Sequence, residues 1–444
     1  MRHRIAILGA AGRDFHNFNV CYRNDPGCHV IAFTATQIPD IAGRHYPPVL
    51  AGPLYPDGIP IVPEEQMEAL ITRDGVNTVV FSYSDVSHNY VMDLASRAIA
   101  SGADFLLLGA THTMLKSRVP VISVCAVRTG CGKTPVSLRV VNLLREMGVR
   151  VVVVRHPMPY GDLSRQAVQR FSTRADLDQQ RCTIEEREEY ERHLQAGTIV
   201  YAGVDYGKIL AEAEREAQVI VWDGGNNDTS FFRPDLEIVV ADPHRAGHEL
   251  LYHPGEVNLL RADVVVINKV DTASDANVET VRLNVRRRNP KARVIETYSR
   301  VAVEQPERIR AARALVIEDG PTLTHGQMSQ GAGVIAARQA GAAELVDPRP
   351  YAVGSLRDVF AQFTHIGPLL PAMGYSKKQR GELEETIRRT PCDVVVVATP
   401  MDLGRVVAIS QPTVRVTYDV IERSTLTFSQ VVREFVAKHV RVTA

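Results

Sequence analysis

Six cysteines are scattered through the 444 residues, at 21, 28, 125, 131, 182 and 392, and no two form a Cys-x-x-Cys pair. That spacing argues against a disulfide framework and a thiolate zinc site, and a reduced, cytoplasmic protein is expected. Neither sign of charge is in surplus: Lys and Arg total 51, as do Asp and Glu, so the formal net charge is zero. A nucleic-acid partner would leave a basic excess and a lipid surface a polybasic tail, so neither partner is expected. No apolar run approaches the ~20 residues that cross a bilayer. Internal repeats and low-complexity tracts are missing too. Lysine is rare, eight of those 51 cations, and two of the eight, Lys133 and Lys269, fall inside nucleotide motifs.

What is present is an ordinary globular composition, 45% hydrophobic and 23% charged. One stretch is more informative than the rest. Residues 120–134, PVISVCAVRTGCGKT, read as a buried strand, a glycine-rich turn and the start of a helix. Backbone N–H groups in such a turn point inward, and the helix N-terminus adds partial positive charge, so the loop cradles phosphates. Thr129, Gly130, Cys131 and Gly132 would form the cradle, Lys133 would reach the β- and γ-phosphates, and the Thr134 hydroxyl would sit on Mg²⁺. The full pattern asks for Gly five residues before Gly132, where this chain has Val127. RTGCGKT is closer to the K-G-G-x-G-K-[ST] loop of the SIMIBI class of P-loop NTPases, with Arg128 where that class often has a second lysine. Apolar positions 136, 138, 140, 141, 143 and 144 give the following helix one buried face.

Apolar runs at 4–8, 29–33, 78–83 and 104–109 alternate with helical patterns, notably 63–72 and 86–101. Such alternation implies a parallel sheet with right-handed crossovers. The fold class expected is α/β, with an N-terminal Rossmann-like parallel sheet over 1–117 and a C-terminal, SIMIBI-like P-loop NTPase domain over 118–444. Further strands are expected at 150–155, 219–222, 236–241, 263–268, 293–296, 314–318, 393–399 and 414–418. The polar stretch at about 157–205 reads as an insertion or lid, and 320–380 is rich in Gly, Pro and polar residues. The turn Gly9-Ala10-Ala11-Gly12 lacks the third glycine of a dinucleotide fingerprint, since Phe15 occupies that place. A redox cofactor is therefore not expected.

Two strand ends extend the nucleotide constellation. Residues 217–223, AQVIVWD, end in Asp223, whose carboxylate would bind Mg²⁺ in the Walker-B manner. Asn268-Lys269-Val270-Asp271 matches N-K-x-D, the guanine reader of GTPases. An Asp carboxylate accepts from guanine N1–H and the 2-amino group. Adenine offers neither donor, and the unpaired acid would cost roughly 1–3 kcal/mol or more. Mg²⁺ and GTP, or else ATP, are the expected cofactors. Two loops after apolar strands carry substrate candidates. In 242–249, DPHRAGHE, Arg245 suits bidentate phosphate recognition, His244 or His248 suits proton transfer, and Glu249 lies beside them. In 318–326, EDGPTLTHG, glycines flank a Pro-Thr-Leu-Thr-His turn, and Asp319, Thr324 and His325 are the candidates. Either loop also fits a plain polar connection with a helix cap, and the paired histidines of the first would also suit a metal.

The segments RTGCGKT, VWDGGNND, ADPHRAGHE, YHPGEVN, INKVD, EDGPTLTHG and LPAMGYS resemble the predicted GTPases related to archaeal cyclic 2,3-diphosphoglycerate synthetase. The resemblance covers most of the chain. It implies NTP-driven closure of an intramolecular phosphoanhydride in 2,3-diphosphoglycerate. The activity expected is Mg²⁺-dependent NTP cleavage or phosphoryl transfer to a small anionic substrate. Lys133, Asp223, Arg128, His244 and Arg245 are the catalytic candidates, in a homo-oligomer. The alternative is a GTPase switch or assembly factor with a protein partner. Calorimetric titration with GTP and ATP in Mg²⁺ checks the base reader. GTP is expected to bind more tightly, and Asp271→Asn is expected to erase the difference; ATP preference that the substitution leaves intact would refute the N-K-x-D assignment.

Overall fold

The computed structural model describes residues 3–10, 12–36, 41, 43–156, 161–225, 228–324, 326–373 and 376–440. It is a mixed α/β structure with two large sheets, parallel over most of their strands. The first has six strands in the order His45–Tyr46, Ile59–Pro63, Cys28–Ala35, His3–Leu8, Thr78–Phe81 and Asp104–Leu107. All its pairings are parallel except that of His45–Tyr46 with Ile59–Pro63. Its two faces carry separate apolar clusters.

The second sheet has thirteen strands, and the P-loop strand Val121–Ala126 lies between Val219–Asp223 and Leu236–Ala241. The neighbouring segments VISVCA, VVVVR, VIVWD, LEIVVA and VVVI are buried at every residue. Burial on both faces explains why they read as continuous apolar runs rather than alternating ones. Arg155 and Asp223 sit at the carboxyl ends of their strands, where open parallel sheets receive ligands. The P-loop helix, Lys133–Glu146, buries Val136, Val140, Val141 and Leu144 at helical spacing. The Phe428–His439 helix packs against it through the same core, with Phe428, Val431, Val432 and Phe435 on its buried face.

Three regions differ from the sequence expectation. The strand expected at 293–296 runs from Arg293 to Val303. Its first half pairs parallel with Val264–Ile267 and its second antiparallel with Thr413–Glu422, which joins the P-loop half of the sheet to a second apolar core. The polar stretch at 157–205 extends the sheet edge through Gln169–Phe171 and Ile199–Ala202. Its helix Ile184–Gln195 buries Glu185, Glu186, Glu188 and Glu191, and the Thr183–Glu186 capping box satisfies one of these acids internally. The 320–380 segment holds the helices Ala332–Gln339 and Ser355–Gln362 and the strand Leu370–Ala372.

The helix Gly255–Arg261 braces the P-loop strand from below. Asn258 Nδ2 donates to the Ala126 carbonyl at 3.2 Å, and a Cβ on Gly255 would run into the Val127 carbonyl. Gly255→Ala is therefore expected to overpack this junction by about 1–3 kcal/mol. Thermal melting should show a lower Tm, and nucleotide titration a weaker Kd; a variant unchanged in both would contradict the bracing role.

Candidate functional site

The phosphate loop takes its shape from two left-handed glycines, Gly130 at φ 81° and Gly132 at φ 101°. At Gly132 two demands coincide, because the Asn268 amide also occupies the space a Cβ would need. Below the loop, Arg128 and Thr129 are held by Asp85, which comes from the end of the first sheet. Arg128 Nε donates to Asp85 Oδ1 at 2.6 Å, and the Thr129 amide donates to Oδ2 at 3.2 Å. The Arg128 guanidinium also lies 3.6 Å from the Tyr252 ring centroid, and its Nη1 is 2.7 Å from His248 Nδ1. Burial, with Arg128 and Arg245 nearby, pulls His248 down to about 4, so its ring is neutral at pH 7 and accepts that hydrogen bond.

The opposite flank of the loop is tied to the N-K-x-D turn. Asn268 Nδ2 donates to the Cys131 carbonyl at 2.9 Å. Lys269 Nζ donates to the Gly130 carbonyl at 2.6 Å and pairs with Asp242 at 2.7 Å. Arg245 donates to the Gly326 carbonyl at 2.7 Å and stands 3.4 Å from Asp242. Burial alone would raise Asp242, but Lys269, His244 and Arg245 hold it well below the usual carboxylate range. Asp271 is exposed, and its Oδ1 accepts from the Ser299 amide at 3.3 Å.

Asp223 is fully buried. Its Oδ2 lies 2.6 Å from Arg155 Nη1 and 2.8 Å from His193 Nε2. Burial pushes its pKa up, and Arg155 and His193 more than reverse this, holding it at about 2. Arg155 also pairs with Glu189 on the Ile184–Gln195 helix. Among the described residues nothing donates to the buried Asp223 Oδ1, which leaves that oxygen open to a cation. Among the described residues no group of three His, Cys, Asp or Glu is placed to hold a metal.

A cavity of about 480 Å³ opens over these elements. Lys133, Thr134, Thr129, Gly130 and Gly132 line it from the phosphate loop, with His244, Arg245, Lys269 and Asp319 from the other expected motifs. Cys131, Asp223 and Asn268 stand behind that wall as supports. The remaining expected residues are engaged elsewhere. Arg128, expected over the leaving oxygens, is 1% exposed and clasped beneath the loop. Glu249 accepts from the Gly247 amide at 2.9 Å and from Asn284 at 2.6 Å. The Thr324 hydroxyl donates to the Gly320 carbonyl at 3.0 Å. His325 lies outside the described residues. Arg155, Glu188 and Glu189 line the cavity without having been singled out in the sequence, and His193 supports it. Arg155 left one signal: a charge closing a run of four buried valines must find a partner.

Removing one half of a buried ion pair leaves the other charge uncompensated, at about 3–5 kcal/mol. Asp85→Ala is expected to destabilise the protein on that scale by stranding Arg128, and to weaken nucleotide binding. Thermal melts and titrations of Asp85→Ala, Arg128→Leu and the double variant check this. Strictly additive losses would mean that the clasp carries no coupling.

The tetraacyldisaccharide-1-P 4'-kinase family (LpxK) matches residues 97–317, a span that holds the phosphate loop, Asp223 and the N-K-x-D turn. Two solved structures overlap weakly: LpxK of Aquifex aeolicus in complex with ATP, at 14% identity over 72% of this chain and 90% of that one with a TM-score of 0.41, and a murein-peptide ligase of Neisseria meningitides, at 11% identity over 67% and 81% with a TM-score of 0.27. The arginine synthetase ArcE of Thermococcus kodakarensis is 58% identical over 434 residues, 98% of this chain and 97% of that protein. With a nucleotide-site match over 97–317 and such a relative along nearly its whole length, this NTP-dependent enzyme belongs to the arginine synthetase ArcE family.

Proposed function

We propose that this enzyme forms arginine by moving the γ-phosphoryl group of a nucleoside triphosphate to an oxygen of a small acceptor. The observation that carries the reading is the shared cavity. The phosphate loop, Arg155 and the acids Glu318 and Asp319 all border one space of about 480 Å³. A GTPase used only as a switch has no need of such a chamber. The relative's name supplies the product, and 2,3-diphosphoglycerate is accordingly not carried forward as the acceptor. Making a guanidinium with NTP requires an oxygen on the future guanidino carbon to become a leaving group. Phosphorylating a ureido oxygen does this, and an incoming amine then displaces phosphate.

In this reading the loop amides and Lys133 hold the β- and γ-phosphates. Arg155, oriented by Asp223 and Glu189, faces the transferring group and takes the place first expected for Arg128. Thr134 and Asp223 would hold Mg²⁺, which offsets phosphate charge. Arg245 and His244, braced by Asp242, meet the acceptor side. Catalysis comes from fixed charges aimed at developing charge. Exposed Asp271 is the residue proposed to select the base.

The test supplies NTP, Mg²⁺, ammonium and a ureido amino acid, and follows arginine and NDP together. One arginine per NDP is expected. Lys133→Met should lower the rate by about 100-fold or more without a matching loss of Tm. Arginine formed without NTP cleavage, or NDP without arginine, would sink the proposal.

A further inference from the structure

One wall of the cavity is acidic. Glu188 and Glu189 reach it from the Ile184–Gln195 helix, and Glu318 and Asp319 from the end of the Arg313–Asp319 strand. Two of the four have clear partners. Glu189 pairs with Arg155, and Glu318 Oε1 accepts from the Val334 amide at 2.8 Å. Asp319 accepts from the Thr322 hydroxyl at 2.5 Å and shares a side-chain hydrogen bond with Glu188. Glu188 is the distinctive member. It is 4% exposed and lines the cavity; its carboxyl bonds Asp319, and among the described residues its buried Oε1 accepts no hydrogen bond.

The charged groups acting on Glu188 are acids. Burial first, then Asp319 and Glu185, push its pKa well above the usual carboxylate range. Adjacent carboxyl groups in a poorly solvated site cannot both stay ionised without a cation. A compact cation between them would restore both charges and satisfy the open oxygen. Among the described residues no set of three ligands is placed to hold a metal ion. An ammonium group asks for less, because it is a donor only and two or three acceptors within hydrogen-bond reach suffice.

We propose that Glu188 and Asp319 form the recognition site for an ammonium group, inside the same cavity that holds the phosphates. The proposal rests on the arginine-forming reading. Within that reading the group is either free ammonium, on its way to becoming the new guanidino nitrogen, or the α-ammonium of the amino-acid acceptor. Glu188 and Asp319 thus give the cavity opposite polarities, cationic residues for the phosphoryl group and a carboxylate pair for nitrogen. This arrangement brings the nitrogen to the chamber without placing it against Lys133 and Arg155, which would repel it.

Glu188→Gln tests the site with little risk to folding, since it keeps the shape of the neutral acid expected when no cation is bound. Asp319→Asn is the second variant. Ammonium chloride, with sodium chloride as reference, is titrated calorimetrically into the full-length protein loaded with Mg²⁺ and a non-hydrolysable NTP analogue. Steady-state arginine formation is measured alongside. Ammonium binding should weaken, and the KM for ammonium rise, by about tenfold or more in either variant, with the KM for NTP unchanged. A rise in the KM of the amino-acid acceptor instead supports the site and assigns it to the α-ammonium. If both variants melt like wild type and leave ammonium binding and both KM values unchanged, the site is refuted. If wild-type protein makes no arginine yet loses ammonium binding in Glu188→Gln, the arginine reading fails and the ammonium site stands.

Discussion

The ion pair between Asp85 and Arg128 is the constraint on which the active geometry depends. Both side chains are all but fully buried, at 2% and 1% exposure, and they meet at 2.6 Å. One belongs to the end of the first sheet and the other to the root of the phosphate loop. Because Asp85 also accepts from the Thr129 amide, a single carboxylate fixes the loop's entry and the seating of one sheet against the other. The short pairing of Val86–Ser87 with Tyr252–His253 runs beside it. Neither charge could be buried alone, so each enforces the presence of the other.

The same principle recurs around the cavity. Asp223 underlies Arg155, and Asp242 underlies Lys269 and Arg245. In each case a buried acid, kept ionised by its partners, holds a cation that borders the open space. Such cations have little freedom left to lose when a phosphate arrives, which is what electrostatic preorganisation requires. Glu188, on the other wall, is the exception. Among the described residues no cation pairs with Glu188, so its chemistry differs from that of Asp223 although both are buried carboxylates.

Much of the framework was legible in the chain itself. Fully buried parallel strands must be apolar throughout, so VISVCA, VIVWD and LEIVVA stand out, and LEIVVA is bounded in the structure as the sequence suggests. Glycines at 130 and 132 and the residues that follow mark the phosphate loop because backbone geometry and phosphate binding leave few alternatives. The helix 184–195 gave no sign of its burial, for a physical reason. Its run of glutamates resembles a solvated face, yet four of them are buried by contacts made with distant segments. Arg128 misled in the opposite direction: its position in the motif suggested phosphate, and only the fold brought Asp85 and Tyr252 to it.

The sequence by itself determined the mixed α/β class, the phosphate-binding turn and the strand ends at which chemistry would gather. These features follow from local rules: periodicity, left-handed glycines, and polar residues closing apolar strands. Tertiary structure alone decided which charged residues face the cavity and which brace it. Arg155 and Glu188 came to line the cavity, and His193, Arg128, Glu249 and Thr324 became supports, because pairing in a low-dielectric interior is settled by partners far away in the chain. That information resides in the packing of the two sheets and the second core, and no local pattern carries it.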